Sequence, residues 1–70
     1  MKPINKKLGE KLKKIRTEKA MSQGDIAKKL GVHRSYISGI ERGIRNPTVK
    51  NVEKLADALG VDVSELFEFL

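Results

Sequence analysis

Arg34, Ser35 and Ser38 are the residues best placed to do recognition chemistry in this chain. Their spacing puts them on one side of a helical turn, opposite Ile37 and Ile40. An arginine guanidinium can grip two neighbouring acceptors at once, such as the O6 and N7 edge of a guanine, and a serine hydroxyl can donate or accept. A solvated charge or a phosphate contact is the plainer reading of Arg34. Arg42, Arg45, Asn46 and Lys50 follow, donors of the kind that hold phosphate oxygens. Gln23 falls in the first turn of the preceding helix, where free N–H groups favour an anion. His33 could reach a phosphate or stand as an exposed half-cap. Tyr36 could put its hydroxyl on a phosphate or a base edge, or cover the core.

The charge distribution suits that chemistry. The chain has 70 residues, 15 Lys plus Arg against 9 Asp plus Glu, and a formal net charge of +6. The first fifty residues carry +10 and the last twenty carry −4. A polarised basic domain is the electrostatic footprint expected of a nucleic-acid binder. With no cysteine and one histidine, disulfides, thiolate sites and a zinc site are excluded, and no metal or cofactor is expected. One histidine, no phosphate-cradling glycine loop and no carboxylates paired about a cleft argue against an enzyme. No apolar run approaches the ~20 residues that span a bilayer, and no signal peptide is visible at the start, so a cytoplasmic protein is expected.

The elements that must position these residues are all helical. Periodicity predicts five helices in one domain over 1–70, without strands, linker or repeat. The first, about 5–18, turns Ile4, Leu8, Leu12 and Ile15 inward, with Asn5 as its cap after Pro3. Its lysines are expected to be solvated; a Lys-rich helix could lie on an anionic membrane, but this apolar face is narrow and lacks aromatics. The second, about 22–30, starts on a Ser22/Asp25 capping box, buries Ile26, Ala27 and Leu30, and ends at Gly31. The third covers about 33–41. The fourth, about 49–59, is capped by Thr48, turns Val49, Val52, Leu55, Ala56 and Leu59 inward, and stops at Gly60. The last covers about 63–69.

Only Gly31 and Val32 separate the second and third helices, so the two must cross steeply, as in a helix-turn-helix. Ala27 supplies the small residue at the crossing, and Ile37 and Ile40 anchor the third helix while its other side faces out. Gln23, Ala27, Gly31, Ile37 and Ile40 stand at the spacing of the Xre and lambda-repressor-like DNA-binding domains, and nearly the whole chain resembles that family. The run HRSYISGIERGIRN is especially similar to the controller proteins of restriction–modification systems, which are homodimeric transcription regulators. The resemblance implies an all-α, five-helix domain. It also implies a double-stranded DNA partner, a near-palindromic site and no small-molecule ligand.

In that family, positions matching Arg34, Ser35 and Gly39 commonly read bases. Gly39 has no side chain, so the third reading position is expected to be silent or to admit a close backbone. A glutamine at the place of Gln23 holds the DNA backbone in similar proteins. Residues matching Arg16 and Glu41 form a salt bridge there, implying a structural role for this pair. Ala20 stands where the family usually has glycine, and a positive φ there would strain it by roughly 1 kcal/mol.

The tail holds a second set. Val61, Val63, Leu66, Phe67, Phe69 and Leu70 fall within the last ten residues. Val63, Leu66, Phe67, Phe69 and Leu70 are expected to form a dimer interface, as similar proteins pair through this region. The alternative is that the tail simply closes the core. The rival function is an antitoxin-like or other protein-interaction module of the same fold. RNA binding is disfavoured by having only three aromatic residues.

Overall fold

The computed structural model describes residues 2–70. Five helices are present among them: α1 (Ile4–Glu18), α2 (Gln23–Leu30), α3 (Arg34–Glu41), α4 (Val49–Leu59) and α5 (Val63–Leu66). No helix is long and apolar enough to cross a membrane among the described residues. The α1 helix packs on α3, α2 on both α3 and α4, and α5 closes against α1 and α4. Leu12, Ile26, Ile37, Ile40, Leu55 and Leu66 are completely buried where these helices meet. Each helix contributes at least one of them, so no helix can leave without exposing the core of the others.

Local chemistry sets the boundaries. Ser22 Oγ accepts from the Asp25 N–H at 2.9 Å, and Asp25 Oδ2 accepts from the Ser22 N–H at 2.8 Å, completing a capping box. Hydrogen bonds from the Ser22 backbone and hydroxyl hold the Asp25 carboxyl below its ordinary range, with Lys29 and Lys28 adding to the effect. Thr48 Oγ1 caps α4 through the Asn51 N–H at 3.1 Å. Gly31 (φ 73°) and Gly60 (φ 71°) end α2 and α4 in the left-handed conformation. In each case the next N–H returns to the last turn, Val32 to Ala27 and Val61 to Ala56, both at 3.0 Å.

The end of α1 repeats this geometry without a glycine. Met21 N–H donates to Arg16 O at 3.0 Å, and Ala20 takes φ 55°, the only positive φ at a non-glycine among the described residues. An L-residue there is strained by about 1–2 kcal/mol, while glycine costs about 0.4–1 kcal/mol through the unfolded chain. Ala20→Gly is therefore expected to stabilise by about 0.5–1 kcal/mol and raise Tm by a few degrees. A thermal melt reads this directly, and a lowered Tm would contradict it.

Several expectations need correction. Asn5 does not cap α1. The helix begins earlier, with Pro3 as N-cap and its carbonyl accepting from Lys6 and Lys7. Asn5 thus lies inside the first turn, and its side-chain amide donates to Gly43 O, tethering the loop after α3. Ile4 and Val49 do not point into the core; they are 56% and 88% exposed. Both are the first residues of their helices, ahead of the turn that meets a neighbour. The last helix stops at Leu66 rather than 69. Phe67 (φ −114°) leaves helical geometry, and Phe67 and Phe69 reach the core edge from a turn.

One close contact was not anticipated. Gly9 is buried where α1 crosses α3, and a Cβ there would lie 2.7 Å from Glu41 O and closer still to Ile40 O. Backbone cannot yield as a side-chain tip can, so only glycine lets α1 support the end of α3 at this distance.

Candidate nucleic-acid interface

The third helix owes its position to a buried ionic pin. Arg16 Nε donates to Glu41 Oε2 at 2.6 Å and Nη2 donates to Oε1 at 3.0 Å, a bidentate pair between α1 and the last residue of α3. Arg16 Nη1 also donates to Met21 O at 2.8 Å, just before α2. Gln23 Nε2 donates to Glu41 Oε1 at 3.0 Å. Three segments are joined through one carboxylate, whose side chain is 3% exposed. Hydrogen bonding to Glu41 raises the Arg16 pKa above its ordinary value against the opposing effect of burial, so the guanidinium stays charged.

Gln23, expected on a phosphate, thus also braces Glu41 from inside the chain. Its amide turns inward because Glu41 accepts a further donor, leaving one N–H and the carbonyl for an outside partner.

Held in this way, α3 buries Ile37, Gly39 and Ile40 and leaves Arg34 and Ser35 exposed and Ser38 half-buried on the opposite face. His33 is the N-cap, its Nδ1 accepting from the Ser35 N–H at 3.0 Å. That tightens the start of the helix where Arg34 and Ser35 stand.

The flank after α3 carries Arg42, Arg45, Asn46 and Lys50, all exposed. Arg45 also explains Gly39. The Arg45 Cγ lies 2.6 Å from where a Gly39 Cβ would be, and the Ile44 and Arg45 N–H groups both donate to Gly39 O. The missing side chain thus admits the Arg45 stem, so Gly39 is covered rather than open to an incoming backbone. The Arg45 guanidinium then reaches the Tyr36 ring, 6.0 Å from its centroid.

Tyr36 combines both alternatives. Its ring packs at the core edge, and its hydroxyl accepts from Asn51 Nδ2 at 2.8 Å, keeping its own proton free to donate. Asn51 was missed by sequence reasoning. Its only signal there was a polar residue in the first turn of α4.

The tail separates into buried and accessible parts. Leu66 is 0% exposed and offers nothing to a partner, so its place in an expected dimer interface does not hold. Phe67 and Phe69 are half-buried, with centroids 6.0 Å apart, and Lys7 stands 6.0 Å from the Phe69 ring. Lys11 pairs with Glu68 at 3.0 Å, further tying the tail to α1. Val63 and Leu70 are exposed, but so are Ile4, Ile44 and Val49 outside the tail. Ile4, Val49 and Phe67 share an apolar groove of about 270 Å³ with Leu8, Pro47 and Val52. Sequence periodicity hid this groove because it assigned Ile4 and Val49 to the core.

A packed two-helix unit with a glycine turn, a polar outer face on its second helix and cations beside it defines a helix-turn-helix DNA-binding regulator. The chain belongs to the helix-turn-helix family, whose model matches residues 12–66. It is 47% identical over 62 residues to the control protein C.BamHI of Bacillus amyloliquefaciens, covering 87% of this chain and 76% of that protein. To the control protein C.MunI of a Mycoplasma species it is 44% identical over 68 residues, covering 96% and 92%. Among solved structures, the restriction–modification controller protein C.AhdI from Aeromonas hydrophila superposes with TM-score 0.87 at 44% identity, covering 90% of this chain and 96% of that one. The controller protein C.Esp1396I, solved as a tetramer with its natural 35-base-pair operator, superposes with TM-score 0.86 at 42% identity, covering 99% and 91%.

Proposed function

We propose that this protein is a controller-type transcription regulator that binds a near-palindromic duplex operator as a homodimer. All of residues 1–70 serve as one DNA-binding domain, working in the cytoplasm where its DNA target lies. The observation that carries this reading is the outward face of α3, Arg34, Ser35 and Ser38, held rigidly over the Arg16–Glu41 pin. A major groove about 12 Å wide admits one such helix, and a two-fold pair would place two of them about 34 Å apart. The operator-bound tetramer of C.Esp1396I supports the same mode for a chain this similar.

Arg34, Ser35 and Ser38 read bases. Arg42, Arg45, Asn46 and Lys50 hold phosphates on the side after α3, and His33, the remaining Gln23 N–H and the Tyr36 hydroxyl hold them near its start. The second subunit docks on the groove at Ile4, Val49 and Phe67, with exposed Val63 and Leu70 and half-buried Phe69 extending it. Dimer formation thereby places Asn46 and Pro47, which line the same groove, beside the two-fold axis.

Selection from random duplexes followed by titration tests this assignment. Arg34→Ala is expected to cost about 1–3 kcal/mol on the selected site and to relax preference at one base pair per half-site. Arg45→Ala should weaken all sequences alike and lower the salt slope by about one per subunit. Equal losses on selected and random DNA for Arg34→Ala would make it a phosphate contact. Selected sites without two-fold related halves would overturn the dimer, and the absence of any duplex binding would favour a protein-interaction module.

A further inference from the structure

We infer that His33 fixes the hydrogen-bonding polarity of Ser35, so that Ser35 reads its base as an acceptor only. This rests on the reading of Ser35 as a base contact. Ser35 N–H points at His33 Nδ1 at 3.0 Å, and an N–H can only donate, so Nδ1 must carry a lone pair. The neutral ring therefore keeps its proton on Nε2. Ser35 Oγ lies 2.9 Å from that same Nδ1. With no proton on Nδ1, a hydrogen bond between these atoms runs from the serine hydroxyl to the ring, where it shares the single Nδ1 lone pair with the Ser35 N–H in a three-centre bond.

A free serine discriminates poorly because its hydroxyl rotates to donate or accept as the base requires. Here the hydroxyl proton is directed back into the protein, leaving the oxygen lone pairs facing out. Such an oxygen favours an exocyclic amino group, adenine N6 or cytosine N4, and disfavours guanine O6 and N7 or thymine O4. A carbonyl or ring nitrogen placed there would oppose lone pair to lone pair, or require the Ser35–His33 bond to break. His33 is thus a positioning residue for base choice, beyond its part as the helix cap.

The test compares binding ratios rather than affinities, because a lost cap or phosphate contact weakens every duplex alike. Ser35→Ala first locates the base pair that Ser35 contacts in a site selected from random duplexes. At that pair the wild-type protein should prefer the orientation offering the amino group by about three- to tenfold over the reversed pair, the worth of one hydrogen bond. A base analogue lacking the amino group should lose the same factor. His33→Gly, which keeps a tolerated N-cap residue, should bring the ratio close to one. His33→Asp restores an acceptor for both the Ser35 N–H and the hydroxyl, and should recover the ratio even though its charge weakens binding overall. In a Ser35→Ala background, His33→Gly should leave the ratio unchanged. An unaltered ratio in His33→Gly, or a wild-type preference for a carbonyl at that position, overturns the inference while leaving Ser35 a base contact. If Ser35→Ala changes no ratio anywhere, the base-reading role of Ser35 fails, and the inference fails with it.

Discussion

Arg16→Ala is expected to leave the chain largely unfolded at room temperature. The substitution strips the Glu41 side chain, 3% exposed, of both guanidinium contacts and leaves it only the neutral Gln23 amide. Removing one partner of a buried pair costs about 3–5 kcal/mol, because the other charge stays behind unpaired. A single core of this size rarely supplies more than about 3–5 kcal/mol in all. The loss is compounded at the Met21 carbonyl and at Gly9, where α1 and α3 touch backbone to backbone. Glu41→Ala should be milder, since the Arg16 side chain is 11% exposed and keeps its bond to Met21. The double substitution Arg16→Met/Glu41→Leu should recover cooperative folding, because an apolar pair leaves no stranded charge. Circular dichroism and thermal melts decide the matter. A cooperative Arg16→Ala melt within a few degrees of the parent would show that the pin contributes little.

Val49→Glu is expected to do the opposite: to leave the fold intact and remove the dimer. Val49 is 88% exposed, so a charge there disturbs nothing inside the subunit. It does line the groove shared with Ile4 and Phe67, where a two-fold partner would bring two carboxylates together in an apolar setting. Sedimentation should show a monomer, and Tm should lose the dependence on protein concentration expected of the parent. Operator affinity should fall by about 10²–10⁴, the gain that linking two half-sites normally provides, while the remaining half-site binding still depends on Arg34. Phe69→Glu is the contrasting variant. Phe69 is half-buried against the chain beside Lys7, so the change should weaken the dimer less and the subunit more. Monomer formation by Phe69→Glu with a dimeric Val49→Glu would move the interface from the groove to the extreme tail.

Much of the architecture was legible in the residues. Ser22 with Asp25, Thr48, Gly31 and Gly60 act within one turn of themselves, and the helix ends they specify stand where the sequence places them. The spacing of Leu8, Leu12 and Ile15, and of Ile37 and Ile40, likewise finds the core, since a helix brings those side chains to one face whatever surrounds it. Periodicity failed at Ile4 and Val49, which continue the apolar stripe but begin their helices where no neighbour covers them. It also could not stop the final helix at Leu66, because Phe67 and Phe69 reach the core from a turn as well as they would from a helix.

By itself, then, the sequence determined the class of the protein: an all-α chain, basic over its first fifty residues, with a short helix presenting Arg34, Ser35 and Ser38 beyond a glycine turn. Those features depend on composition, periodicity and interactions between residues a few positions apart. What only the tertiary structure decided are the contacts between distant segments. It turned the Gln23 amide onto Glu41 and carried the Arg45 stem over Gly39. It sealed Leu66 inside while leaving Val49 out, and so opened an apolar groove between Ile4, Val49 and Phe67 at the start of α4. The reason is physical: local rules say which face of a helix is apolar, but which part of that face is covered depends on where other helices end.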